Sequence, residues 1–218
     1  MLRRTIPLFA CSLLLLEACG GASRPAAEQS ATPPPPSHPL AAFVGQQLVI
    51  LPVRYFAPMD SLGWGEQVED QAAYLRELDR EIAFALGERE ITTNWVLAEA
   101  LATTARRNPA SMPNPHLLAA NRIRRGRLQT GSMVAEPLSS QLRALTALGD
   151  ARNAIYPVDL RFENAPGGAR PVLRVVLIDT RSAMLRFVTE VAGEPRASFS
   201  PALLVNVAER FADLFAAP

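Results

Sequence analysis

Apolar and polar positions follow two periods along this chain, and the stretch from Pro171 to Gly193 is the most informative. Val172, Leu173, Val175, Val176, Leu177 and Ile178 are apolar at both parities, the pattern of a strand covered on both faces. After Asp179-Thr180-Arg181-Ser182-Ala183, the run Met184–Val191 is half polar. Leu185, Phe187 and Val191 share one face; Arg186 and Glu190 share the other with Met184 and Val188. This predicts a hairpin whose second strand lies nearer the sheet edge. Upstream, Asn153–Glu163 alternates. Ala154, Tyr156, Val158, Leu160 and Phe162 are expected on one face, and Asp159, Arg161 and Glu163 on the other. Pro157 calls for an edge or a bulge. A turn over Asn164–Pro171 would complete a three-strand antiparallel meander.

Earlier, Leu48–Val53 is a continuous apolar run, a buried strand that Pro52 ends or bulges. A loop over Ala57–Gly65 leads to a helix expected from Glu66 to Leu86. There Val68, Ala72, Leu75, Ile82 and Leu86 recur at helical spacing, with Glu69, Asp70, Glu77 and Glu81 outside and Gly87 at the stop. Ile91–Thr93 reads as a short strand. Asn94 is the expected cap of a helix over Trp95–Arg107. Helical spacing returns at Pro115–Arg125, Pro137–Leu148 and after Phe199, where Ser200 is the expected cap and Pro201 lies in the first turn. The sum is an α/β (α+β) domain: a mixed sheet of about five strands, ending in the antiparallel meander and flanked by helices.

The amino-terminal segment follows a different rule. Arg3-Arg4 precede the apolar run Ile6–Leu16, which is too short to span a membrane and reads as a secretory signal. It closes on Leu16-Glu17-Ala18-Cys19-Gly20, which resembles the lipobox of bacterial lipoprotein signals, with Glu17 standing where a small or apolar residue is usual. The resemblance implies cleavage before Cys19 and diacylglyceryl attachment to its thiol, and Gly20 suits outer-membrane sorting. From there to Leu40 the chain is mostly Gly, Ala, Ser and Pro, with Pro33–Pro36 in a row: a stiff tether. The expected organisation is a signal at 1–18, a tether at 19–40 and one domain at 41–218 with an Arg-rich insertion at about 108–136.

Composition narrows the chemistry. All 22 basic residues are arginine, which removes a Walker lysine, a Schiff-base lysine and a Ser–Lys dyad. The two cysteines, Cys11 and Cys19, both lie in the leader, so the domain has no cysteine for a disulfide, a thiolate metal site or a thiol nucleophile. The two histidines, His38 and His116, sit in Pro-rich segments, and Ser198 and Ser200 precede a helix, so no Ser–His–Asp triad is expected. No cofactor or metal is expected, and the net charge of +1 gives no argument for nucleic acid.

The order of elements resembles envelope lipoproteins that share a fold with the amino-terminal domain of the Tol-system periplasmic protein and with the curli-secretion lipoproteins. The stretches that carry it are Leu48–Val53, Leu148-Gly149-Asp150-Ala151 running into Ala154–Phe162, and Leu177-Ile178-Asp179-Thr180-Arg181. The hairpin turn departs from the pattern, with Ser182-Ala183 where a glycine is usual. The resemblance implies binding or scaffolding in the envelope.

Four local features are candidates for chemistry. Arg122, Arg124, Arg125 and Arg127 could grip anionic groups, such as lipopolysaccharide phosphates, acidic glycan or a partner's carboxylates, with Arg106-Arg107 nearby in sequence. Trp64, flanked by glycines, is a ligand-stacking candidate. Glu66, Glu69 and Asp70 could hold a hard cation, although acids there complement a helix dipole. Asp179-Thr180 resembles the Asp-Thr-Gly of aspartic proteases but lacks the glycine, and turn chemistry accounts for it. The expected function is a non-catalytic, lipid-anchored outer-membrane protein with a periplasm-facing binding or assembly domain, the cell surface being the other possible face. Its partners would be the membrane, through the anchor, and an envelope protein, lipopolysaccharide or glycan. The alternatives are a subunit of an oligomeric secretion or transport assembly and a carboxylate-dependent hydrolase. A pore-forming hairpin would need period-two apolar alternation that Asn108–Glu136 lacks.

Overall fold

Among the described residues, six strands form one mixed sheet: β1 (Leu48–Ile50), β2 (Tyr55–Ala57), β3 (Trp95–Val96), β4 (Asn153–Ala165), β5 (Gly168–Asp179) and β6 (Met184–Ala192). Their order is β3-β1-β4-β5-β6, with β2 also paired to β4. The computed structural model describes residues 38–57, 63–147 and 149–216. β4, β5 and β6 are antiparallel neighbours, the expected meander, while β1 lies parallel to β3 and β4, and β2 parallel to β4. The sheet exceeds the expected strand number because the run at Leu48–Phe56 forms two strands. Pro52 has no N–H to give the ladder, and the pairing lapses between β1 and β2.

The helices divide between the two faces. Helix α1 (Gln71–Gly87) and the last helix, α5 (Ala202–Asp213), pack on one face against Leu48, Ile50, Ile155, Leu173 and Leu177. On the other face α2 (Ala98–Arg107), α3 (Asn121–Arg125) and α4 (Leu138–Ala147) pack against Val49, Leu51, Ala154, Tyr156, Val176 and Ile178. Consecutive residues of β1, β4 and β5 thus feed opposite cores, as continuous apolar runs require.

β4 corrects one expectation. Pro157 faces Val175 and Asp159 faces Arg174, so Val158 is an extra residue on β4. This is the bulge that Pro157 foreshadows, and it lies inside the sheet. It inverts the parity: Ala154, Tyr156 and Val158 enter one core, whereas Leu160 and Phe162 enter the other. The five residues do not share a face.

Several boundaries also move. A 3-10 turn at Trp64–Gln67 precedes α1, which starts after Asp70, whose side chain accepts from the Ala73 amide at 2.9 Å. Asn94 does not cap α2; its amide donates to the Gly45 carbonyl, and the short strand falls at Trp95–Val96 rather than Ile91–Thr93. Pro201 occupies the cap position of α5 with φ already helical at −56°, so Ser200 contributes its carbonyl, to Leu203 N at 3.1 Å, rather than its hydroxyl. Leu40, expected in the tether, is 1% exposed, and its amide donates to the Leu214 carbonyl at 2.9 Å. His38 bonds the Asp213 carbonyl at 2.8 Å. The folded part therefore begins before residue 41.

Candidate functional site

The break at Pro52 positions a cleft. Its neighbour Val53 donates its amide to Asp79 Oδ1 at 2.8 Å instead of to a strand. Helices α1 and α2 cover opposite faces of the sheet and touch beside this break. Between them lies a cavity of about 390 Å³ lined by Arg54, Arg76, Asp79, Arg106, Asn114 and His116, over Val53, Ala72, Leu75 and Ala102. It adjoins a groove of about 780 Å³ along α2, and the two share Arg76, Asp79, Ala102, Arg106 and His116.

Burial pushes the Asp79 carboxyl from 3.8 up to about 7, against the pull of the Val53 hydrogen bond. His116 moves the other way: burial first, then repulsion from Arg76, Arg54 and Arg106, lowers its pKa and keeps the imidazole neutral at pH 7. Asn114 fixes the histidine's turn, its Oδ1 accepting from the His116 amide at 3.0 Å.

The arginines have few claims on them. Arg76 reaches Asp70 at 4.0 Å, between two exposed side chains. Arg106 donates to the Thr103 hydroxyl at 3.0 Å. The Arg54 guanidinium lies 4.9 Å from the Tyr55 ring centre, and its buried Nε has no hydrogen-bond partner among the described residues. Three guanidiniums therefore meet one carboxyl that burial holds largely protonated below pH 7, and the cleft is positive. Such a site suits an anion: guanidinium forks match carboxylate and phosphate oxygens.

The residues singled out by sequence fall elsewhere. Arg122, Arg125 and Arg127 are exposed, and Arg124 is half-buried with its guanidinium 4.6 Å from the Tyr55 ring centre. The Arg124 carbonyl accepts from Arg174 Nη1 at 2.9 Å, and Tyr55 donates to Asn121 Oδ1 at 2.9 Å. The four do not line the cleft; Arg124 anchors α3. Trp64 is 4% exposed and packs edge-on against Phe162 and Phe199, so its ring belongs to the core and is not available for stacking on a ligand. Trp95 likewise packs on Phe215. Asp70 is engaged as a helix cap, and no group of three or more His, Cys, Asp or Glu among the described residues could hold a metal. Asp179 organises its turn: Oδ1 accepts from the Arg181 and Ser182 amides, each at 3.1 Å, and Oδ2 pairs with Arg152 at 2.7 Å. Cys19 lies outside the described residues.

Sequence reasoning missed Asp79, Arg54 and Arg76. A signal for Asp79 was present. The stripe Val68, Ala72, Leu75, Ile82, Leu86 has a vacancy at 79, and a carboxylate on the buried face of a helix marks either a paired charge or a site. For Arg54 there was none, because its place depends on the break after Pro52.

No helix among the described residues is long and apolar enough to cross a membrane. Neither the family models, nor the curated proteins, nor the solved structures contain a match to this chain.

Proposed function

We propose that this chain is a lipid-anchored envelope protein whose folded unit binds an anionic ligand in the cleft between α1 and α2. The convergence of Arg54, Arg76 and Arg106 beside a carboxyl held near neutrality carries the binding half. Charged side chains normally find partners when they line a concave surface, and these find few. The anchoring half rests on the Leu16-Glu17-Ala18-Cys19 signal and the proline-rich segment behind it. Two acyl chains and a third on the new amino terminus hold a protein on a bilayer, at about 0.8 kcal/mol per buried methylene. The resemblance in element order to the Tol and curli lipoproteins agrees with that setting.

The binding half is tested by titrating the protein with inorganic phosphate at low salt and following chemical shifts. Arg54→Gln/Arg76→Gln/Arg106→Gln should lose the response, and Arg122→Gln/Arg125→Gln/Arg127→Gln should keep it. The opposite ranking returns the site to α3. The anchoring half is tested by the mass of the mature protein, which Cys19→Ser should hold at that of the unprocessed precursor. A mature wild-type protein with an unmodified thiol defeats it.

A further inference from the structure

We infer that the ligand of this cleft is a sugar bearing an acidic group, its acid held by the guanidiniums and one of its hydroxyls read by Asp79. This rests on the anion-binding reading above and names the ligand class.

The cleft offers two kinds of group: the guanidiniums of Arg54, Arg76 and Arg106, which only donate, and the Asp79 carboxyl. Asp79 Oδ1 is occupied by Val53 N at 2.8 Å, and its second oxygen has no partner among the described residues. It is also not sealed off, since Asp79 lines both the cavity and the adjoining groove. A carboxyl poised between its two forms can both donate and accept a hydrogen bond, as a hydroxyl does. An ammonium group is a poorer match, because three arginines line the same cavity.

Size and lining agree. About 390 Å³ is near the lower end of small-ligand cavities and suits a single sugar ring. Val53, Ala72, Leu75 and Ala102 present small apolar surface to the C–H face of such a ring. The adjoining groove leaves room for whatever the ring is attached to.

The test is calorimetric titration of the full-length chain with glucose 6-phosphate, glucuronate, butyl phosphate, inorganic phosphate and glutamate. One or both sugar acids should bind about tenfold more tightly than butyl phosphate, phosphate and glutamate, the scale of one or two well-made hydrogen bonds. A lead for glucose 6-phosphate identifies a phosphate as the acid, and a lead for glucuronate a carboxylate; either supports the inference. Asp79→Ala should erase the preference for the sugar acid over butyl phosphate. Should that variant fail to fold, the wild-type comparison decides alone, since butyl phosphate has the charge without the hydroxyls. Equal binding of butyl phosphate and glucose 6-phosphate, or tightest binding of glutamate, overturns the sugar while sparing the anion site. Failure of all five ligands to bind overturns the anion site itself, and the sugar with it.

Discussion

The Val53 amide donates to Asp79 Oδ1 at 2.8 Å, tying the break in the sheet edge to the middle of α1. Burial raises the folded carboxyl from 3.8 to about 7, so between those values the native state keeps a proton that the unfolded chain has lost. Stability from this group is full below the unfolded pKa and declines as pH rises toward the folded one, by at most about 1.4 kcal/mol per pH unit. Asp79→Asn keeps an acceptor for Val53 and removes the titration. It should match wild type near pH 4 and exceed it at pH 8 by about 1–3 kcal/mol in urea unfolding. A gap that does not widen with pH would show that Asp79 ionises normally.

At the β5–β6 turn, Ala183 sits at φ +54°, a conformation that strains any residue with a Cβ. The turn survives because Asp179 accepts from both the Arg181 and Ser182 amides and pairs with Arg152. Ala183→Gly should therefore stabilise the protein, by about 0.5–1 kcal/mol, and raise Tm. Asp179→Ala should cost about 2 kcal/mol by stripping the turn amides of their acceptor. Burial favours the protonated Asp179, but the Arg152 and Ser182 contacts outweigh it and hold the carboxyl below its usual range. Its contribution is present at neutral pH and lost as pH falls through that depressed pKa, opposite in sign to Asp79.

These two acids also mark what the sequence could reveal. Asp179 stands between two apolar runs of strand length, so its turn, the hairpin and the meander follow from local pattern alone. The stripes of α1, α4 and α5 are equally local. The parity of β4 and β6 is not: Val158 and Arg186 are extra residues defined by pairing with β5, so Leu185 enters one core and Phe187 and Val191 the other, and no count along one strand detects it. The cleft is further out of reach. Arg54, Asp79, Arg106 and His116 come from four segments, and only the meeting of α1 and α2 at the sheet edge unites them. Arg122, Arg124 and Arg125, dense in sequence, sit on a five-residue helix that leaves Arg122 and Arg125 exposed, and Arg127 lies beyond its end.

Gly167 and Gly168 form a graded pair at the β4–β5 turn. Gly167 has φ +88° with open space around it, whereas Gly168 has φ +140° and its backbone lies against Arg196. A Cβ on Gly168 would stand 1.8 Å from the Arg196 carbonyl oxygen, which already accepts from the Ala169 amide at 3.0 Å. Gly167→Ala should cost about 1 kcal/mol, the strain of its φ. Gly168→Ala adds a backbone clash and should cost about 3 kcal/mol or more. Chemical unfolding of both variants checks the ranking, and equal costs would mean that the Arg196 segment moves aside.

Helix α3 is only five residues long, too short to persist by itself. Four contacts hold it to the sheet: buried Ile123, Arg124 over the Tyr55 ring, Tyr55 to Asn121 Oδ1, and Arg174 Nη1 to the Arg124 carbonyl. The last is a cation at the helix's carboxyl end, where unpaired carbonyls favour positive charge. Arg174→Gln should raise amide exchange across residues 121–126 about tenfold, a local opening easier by about 1.4 kcal/mol, with a smaller change in global stability. Arg122, on the same helix but exposed, is the control, and Arg122→Gln should leave exchange unchanged. If Arg174→Gln behaves as the control does, the arginine contact adds nothing and Ile123 with the Tyr55 contacts suffices to seat the helix.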